Sequence, residues 1–231
     1  MKPSHRYRQM SKAIAQLRLA LLPPTFSATG TYSRPRQVHI RTASFRVLAH
    51  AEIESYLEDR ASEVHGLAWE LWKNHSQPSH ALTCLIGFSG VTTQPPAETL
   101  TPGASSKPSY VDVAIPLEKA NNVWRHNLKN NNGLKEKDLL TLLLPIGVHH
   151  SALDQTLLND LNSFGSARGE VAHTSTIGVT TLFDPRTEFD RVVQILGGLS
   201  SLDLTLQGQA TLLRKVLRKM QAATVTSPTQ I

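Results

Sequence analysis

Apolar residues recur every three or four positions over most of the chain, which is the spacing of a helix that buries one side. No stretch alternates apolar and polar residues for long enough to predict a strand. Seven helices are predicted, over residues 5–22, 38–74, 79–87, 117–130, 138–144, 153–173 and 187–222. The pattern therefore predicts an all-α helical bundle without internal repeats.

Prolines, glycines and small polar residues separate these helices. The first helix ends at Pro23-Pro24, and residues 91–110 form a long loop rich in Thr, Pro, Gly and Ser. Gly66 is a candidate bend in the second helix, and Gly197-Gly198 is a candidate break in the last one. Each of these breaks is an expectation from local composition.

Three parts follow from this division of the chain. Residues 1–36 are predicted to form a basic N-terminal helix and linker. Residues 37–222 are predicted to form the helical bundle, and residues 223–231 a disordered tail.

The net charge of +6 is unevenly distributed. Residues 1–50 and 204–231 contain no acid, so all 18 acidic residues lie between them. Basic ends favour a polyanionic partner such as RNA, whose phosphates attract Lys and Arg. The alternative is that basic helical ends only increase solubility. Under the first interpretation, the candidate RNA contacts are Arg34, Arg36, Arg41 and Arg46.

Cellular location is constrained by three features. No apolar stretch reaches the ~20 residues that span a bilayer, so no membrane association is predicted. The single cysteine, Cys84, cannot form an internal disulfide, which favours a reducing cytoplasm. The N-terminus lacks a secretory signal, although its basic, acid-free composition also fits an organellar transit peptide.

Common catalytic motifs are absent. The sequence has no Walker A, Rossmann, zinc-protease or nucleophile-elbow motif. His149-His150 lacks a carboxylate or cysteine nearby to complete a metal site. We therefore predict neither a bound metal nor a cofactor.

The strongest chemical signal is Arg168 followed by His173, near the end of the sixth predicted helix. Arginine binds phosphate through a planar fork of donors, and histidine transfers protons near neutral pH. On a regular helix the two side chains emerge about 140° apart. They share a target only if the helix bends, which Gly169 permits, or if two protomers each supply a pair. The structural alternative is an arginine paired with a carboxylate and a histidine stabilised by the helix dipole.

Four segments in order resemble the HEPN superfamily of helical, mostly RNA-directed domains, and in particular its RiboL-PSP-HEPN branch. The last contains the Arg-x4-6-His element of that superfamily as Arg168-x4-His173. The four segments are Leu48-Ala-His-Ala-Glu-Ile-Glu54, Asn132-Gly-Leu-Lys-Glu-Lys-Asp-Leu-Leu140, Leu144-Pro-Ile-Gly147 with Leu153-Asp-Gln-Thr-Leu-Leu158, and Phe164 to His173.

The resemblance implies an up-and-down bundle that forms a homodimer, with the two Arg-x4-His elements facing each other. It implies a metal-independent endoribonuclease in which Arg168 and His173 are catalytic. His50 and Glu54 are candidate support for them, and the alternative is that this pair only ties two helices together. The resemblance also implies regulation by an antitoxin or another protein, in a toxin–antitoxin, phage-defence or stress context. Many active members carry a polar residue after the arginine, where this chain has Gly169. Two alternatives therefore stay open: a catalytically silent dimer that binds RNA, a nucleotide or a protein, and a structural adaptor.

Overall fold

The computed structural model describes residues 2–92, 112–173 and 183–225, with side chains over 2–92, 112–166 and 183–223. Every predicted helix is present, and the described residues contain no strand, so the all-α bundle prediction is confirmed. The helices are α1 (His5–Leu21), α2 (Pro35–His75), α3 (His80–Phe88), α4 (Ala114–Lys129), α5 (Glu136–Leu143), α6 (Gln155–His173) and α7 (Pro185–Val225).

Short polar side chains begin several of these helices, because they accept bonds from backbone N–H groups that lack a partner in the first turn. The Ser4 hydroxyl accepts from the Tyr7 amide at 3.0 Å at the start of α1. Carboxylates act in the same way before α6 and α7. Asp154 accepts from Leu157 N at 2.9 Å before α6, and Asp184 accepts from Thr187 N at 2.8 Å before α7.

The structure differs from the sequence-based expectations at several glycines and turns. The expected break at Gly197-Gly198 is wrong, because α7 continues through both residues to Val225. Packing overrides their low helix propensity, since Ile195 and Leu199 on either side are fully buried. α2 also stays helical through Gly66. Two short 3₁₀ helices, Leu144–Ile146 and His150–Ala152, were not predicted.

The expected loop at 91–110 lies outside the described residues, except for its first two positions. The same holds for 226–231, the last six positions of the predicted tail.

The chain divides into two compact units. Unit 1 contains Met1–Arg60, Asn132–Leu139 and Ser151–Gln207, and its four main helices are α1, all of α6, and parts of α2 and α7. Its core consists of apolar side chains from these four helices, chiefly Met10, Ile14, Phe45, Ile53, Leu57, Leu161, Phe164, Val192, Ile195 and Leu199.

Within unit 1 the four helices alternate in direction. α2 and α7 run the same way, since Arg46 pairs with Glu188 and Arg60 pairs with Asp203 further along both helices. α1 runs the opposite way, because Ser4 bonds Asp203 while the Arg18 guanidinium, at its other end, lies over Phe189.

α6 also opposes α7. Leu157, near its start, contacts Gly198, whereas Phe164 lies by Arg46 and thus near the beginning of α7. This alternation is that of an up-and-down four-helix bundle.

Unit 2 contains Ala61–Asn131, Leu140–His150 and Gly208–Ile231. α3 packs on the Leu144–Ile146 turn and on α4. Gly147 ends that turn with φ of 87°, and a Cβ there would lie 2.9 Å from His80 Cδ2, so both conformation and space require glycine. Trp124 Nε1 donates to the Leu142 carbonyl at 3.1 Å, which ties α4 to the end of α5.

Candidate functional site

α6 carries the Arg-x4-His element at its C-terminal end, where the backbone is helical up to His173. The side chains of Arg168 and His173 lie outside the described residues. In the sequence, Phe164 precedes this element and Phe183 follows it. These two phenylalanines contact His39, Arg46 and His50 of α2. These groups form the candidate site.

His50 on α2 stacks against Phe164 on α6, with ring centroids 5.8 Å apart and planes at 28°. Phe164 is fully buried and precedes Arg168 by one helical turn. His50 is only 1% exposed, and its Nδ1 lies 3.6 Å from the Glu54 carboxylate one turn later. The two predicted support residues are therefore adjacent to each other, and His50 also contacts the helix that carries the element.

Arg46 lies one turn before His50 on the same side of α2 and is also buried, with 2% exposure. Its Nη1 donates to Glu188 Oε1 on α7 at 3.3 Å. The guanidinium carbon lies 5.7 Å from the centroid of Phe164 and 4.9 Å from that of Phe183. This placement differs from the exposed position that an RNA contact requires.

Phe183 is the first described residue after the gap that follows α6. Its ring stacks on His39 with centroids 5.6 Å apart and planes at 3°, and its backbone amide donates to His39 Nδ1 at 3.2 Å. Three planar groups of α2 therefore contact the two phenylalanines: His39, Arg46 and His50.

The remaining predicted RNA contacts lie together at the start of α2. Arg34, Arg36 and Arg41 are exposed and line an open surface hollow with Ile40. Not every basic residue of the N-terminal region is available in this way: Arg6 bonds Glu52 and Asp59 at 2.8 and 2.6 Å.

Asp203 is the second polar centre of unit 1 and is completely buried. It accepts from Ser4 N and Ser4 Oγ, both at 2.6 Å, and from the Tyr56 hydroxyl at 3.0 Å, and it pairs with Arg60 Nε at 3.2 Å. Burial, and then the Asp203 carboxylate, raise the pKa of Tyr56 well above its ordinary range. The neutral Tyr56 hydroxyl and the Asp203 carboxylate, which is occupied by its bonds to Ser4, Tyr56 and Arg60, hold α1, α2 and α7 together. They are not arranged for catalysis.

His65 marks a polar site in unit 2. Its ring stacks on Trp124 with centroids 4.0 Å apart and on Trp69 at 6.4 Å. Burial lowers the pKa of His65 to about 4, so the ring is neutral at physiological pH. A neutral imidazole between two indoles is a packing element.

Sequence reasoning identified His50 and Glu54, but it did not predict the contact of His50 with Phe164. It also missed the contacts of Arg46 with Glu188 and Phe183. Glu188 could be recognised in the sequence as an acidic residue in the first turn of α7, where the helix dipole favours a negative charge. Its pairing with Arg46 depends on tertiary structure. Among the described residues, no group of three or more potential ligands is placed to hold a metal ion.

No protein-family model matches the sequence, and no curated protein or solved structure is similar to the chain. The resemblance to HEPN domains therefore rests on the four sequence segments. In the described parts of the chain, every helix is too short or too polar to cross a membrane.

Proposed function

We propose that this protein is a metal-independent endoribonuclease of HEPN type that cleaves RNA by 2′-hydroxyl attack. The contact between His50 and Phe164 is the observation that supports this best. It joins the His-Ala-Glu-Ile-Glu segment of α2 to α6, one turn before Arg168. These are two of the four segments on which the resemblance depends, and the proposal needs them to be neighbours.

The proposed reaction needs one proton-transfer group and one cation. The RNA 2′-oxygen forms a bond to the adjacent phosphorus while the bond from phosphorus to the 5′-oxygen breaks. His173 either accepts the 2′-hydroxyl proton while water protonates the leaving 5′-oxygen, or donates a proton to that oxygen while water accepts the 2′-hydroxyl proton. Arg168 stabilises the charge that develops on the phosphoryl oxygens. The products are a 2′,3′-cyclic phosphate and a 5′-hydroxyl. DNA is not a substrate, because it lacks the 2′-hydroxyl that attacks the phosphorus.

The positions of the two residues on α6 limit how they act together. On a regular helix their side chains emerge about 140° apart, and α6 is helical through Gly169 to His173. The proposal therefore requires a homodimer in which the Arg-x4-His elements of the two protomers face each other.

The exposed arginines at the start of α2 supply the substrate contact in this proposal. Arg34, Arg36 and Arg41 offer three permanent charges within two helical turns. Phosphate contacts of this kind position RNA without reading its sequence.

Cleavage of RNA in excess EDTA tests the proposal. The wild-type protein is expected to cut RNA and leave cyclic phosphate ends, and His173→Ala is expected to cut about 10²–10⁴-fold more slowly. His126→Ala, which removes an exposed histidine of α4, is the matched control and is expected to retain activity. Wild-type rates in His173→Ala would contradict the assignment.

Gly169 favours a second candidate function, because it replaces the polar residue that many active HEPN proteins carry. This candidate is a catalytically silent HEPN-type dimer that binds RNA, a nucleotide or a partner protein. Arg168→Ala distinguishes the two, with Arg186→Ala on the exposed start of α7 as its control. The variant abolishes cleavage in an endoribonuclease, whereas it weakens binding in a silent dimer.

A cytoplasmic ribonuclease requires restraint, so we also propose an antitoxin or other regulatory protein as a partner. Expression of the wild-type chain is then expected to arrest growth, and His173→Ala is expected to relieve the arrest. Normal growth with the wild-type chain would count against a toxin–antitoxin or phage-defence role.

A further inference from the structure

Phe164 and Phe183 bracket the stretch of chain that contains Arg168 and His173. Phe164 precedes Arg168 by one turn of α6, and Phe183 lies two residues before the first residue of α7. Both rings contact one group, the guanidinium of Arg46, at 5.7 and 4.9 Å. A single side chain of α2 therefore contacts both described ends of this stretch.

The charge of Arg46 is balanced from a third direction. Glu188 on α7 is 4% exposed and accepts from Arg46 at 3.3 Å, while Arg191 lies 3.8 Å from the same carboxylate oxygen. A guanidinium between two aromatic rings and a carboxylate is fixed in both position and orientation, because its planar fork pairs and stacks at once.

The neighbouring imidazoles extend this arrangement along α2. His39 stacks on the outer side of the contact, against Phe183, and His50 stacks on the inner side, against Phe164. Along α2, Phe183 thus contacts both His39 and Arg46, and Phe164 contacts both Arg46 and His50. Side chains of α2 therefore contact both Phe164 on α6 and Phe183 just before α7.

We propose that Arg46 is a positioning residue that fixes the end of α6, together with its counter-ion Glu188, and that it does not contact RNA. This inference rests on the proposed endoribonuclease function and names the residue that maintains the geometry of its site. It replaces the RNA-binding role predicted for Arg46 from sequence, because a buried guanidinium already engaged with Glu188 is not available to a phosphate.

The chain contains a matched control for this role. Arg60 also lies on α2, is also 2% exposed, and also pairs with a buried carboxylate of α7, Asp203. Arg60→Met therefore removes a comparable buried charge from the same two helices, without touching Phe164 or Phe183. Any effect confined to Arg46→Met is therefore due to the contacts that Arg46 alone makes, with the two phenylalanines and Glu188.

The experiment compares wild type, Arg46→Met and Arg60→Met by urea unfolding, by hydrogen exchange of the amides of 167–173, and by RNA cleavage in EDTA. Both variants are expected to lower stability. Only Arg46→Met is expected to accelerate exchange at 167–173, by about tenfold or more. It is also expected to lower kcat about a hundredfold with little change in KM, since small misplacement of catalytic groups has effects of that size.

Glu188→Gln is the second variant, because it removes the counter-charge while keeping the size of the side chain, and it serves if Arg46→Met fails to fold. It is expected to change exchange and kcat in the same direction by a smaller factor. Exchange at 167–173 as slow as in the wild type, in both Arg46→Met and Glu188→Gln, would overturn the proposal. A raised KM with unchanged kcat in Arg46→Met would also overturn it, since that result identifies an RNA contact.

The exchange measurement separates this inference from the proposed function. If the wild-type protein does not cut RNA, the endoribonuclease proposal fails, while faster exchange in Arg46→Met alone still supports the positioning role.

Discussion

The imidazole of His50 stacks on the phenyl ring of Phe164, with the two centroids 5.8 Å apart. Both rings are buried, and the two residues lie nearly half of the chain apart in sequence. The contact brings a histidine–glutamate pair, His50 and Glu54, to the turn of α6 that precedes Arg168. It joins two of the four segments on which the functional prediction rests.

The exposed arginines of α2 should govern the salt dependence of RNA binding. Replacing Arg34, Arg36 and Arg41 together by Gln is expected to reduce the slope of log K against log salt by about 2, because each single-strand phosphate contact contributes about 0.7. Binding isotherms at several salt concentrations measure this slope. The control replaces three exposed bases of α7, Lys215, Arg218 and Lys219, by Gln.

Equal slope changes in the two triple variants would indicate a general effect of net charge. An unchanged slope in the α2 variant would remove these arginines from the RNA-binding surface.

Asp203 should be the most sensitive charged position for stability in unit 1. Asp203→Ala leaves the buried Arg60 without its carboxylate and removes the acceptor of Ser4 and Tyr56, so we expect a loss of about 3–5 kcal/mol of unfolding free energy. Asp190→Ala is the control, because the Asp190 side chain is 65% exposed, and its effect should stay within about 0.5 kcal/mol. Urea denaturation of both variants measures the difference. Similar losses would show that the Asp203 network is not a structural centre.

His65 should make the protein sensitive to acid. Its pKa is about 4 in the folded chain because of burial, against an ordinary 6.5, so the unfolded chain binds more protons between these pH values. The free energy of unfolding should therefore fall as pH falls from about 6.5 to 4, by up to about 3 kcal/mol from this residue. The stability difference between wild type and His65→Asn should shrink over this range.

Urea unfolding at a series of pH values provides that comparison. His126→Asn, at an exposed position of α4, is the matched control for the removal of a histidine. A pH-independent difference between wild type and His65→Asn would refute the prediction.

Two adjacent glycines of α7 should respond to alanine in opposite directions. A Cβ on Gly198 would lie 2.9 Å from Leu157 Cδ1 and 3.0 Å from its Cβ, so Gly198→Ala should cost about 1–3 kcal/mol through overpacking against α6. A Cβ on Gly197 meets no atom within 4 Å, so Gly197→Ala should stabilise by up to about 1 kcal/mol through helix propensity. Thermal unfolding of both variants measures the sign. A stabilising effect of Gly198→Ala would contradict the close approach of α6 and α7.

The candidate site could be predicted only in part. His50 and Glu54 were identified from their spacing on one helix and from the resemblance, since four residues return to the same side. Glu188 and the two phenylalanines could not be predicted, because an acidic first turn and isolated aromatic residues occur in many helices without a functional role. Arg46 was expected on the surface from its charge alone, and only the aromatic and carboxylate contacts explain its burial.

The sequence by itself determined which segments are helical and where most of them end, because apolar periodicity, proline and capping side chains act within a few residues of one another. It did not determine that α7 continues through Gly197-Gly198, because packing between distant helices outweighs a local propensity of about 1 kcal/mol per glycine. Tertiary structure also decided which charges are buried. Pairing a guanidinium such as Arg46 with a carboxylate 142 positions away requires folded helices side by side, and no local pattern encodes that partner.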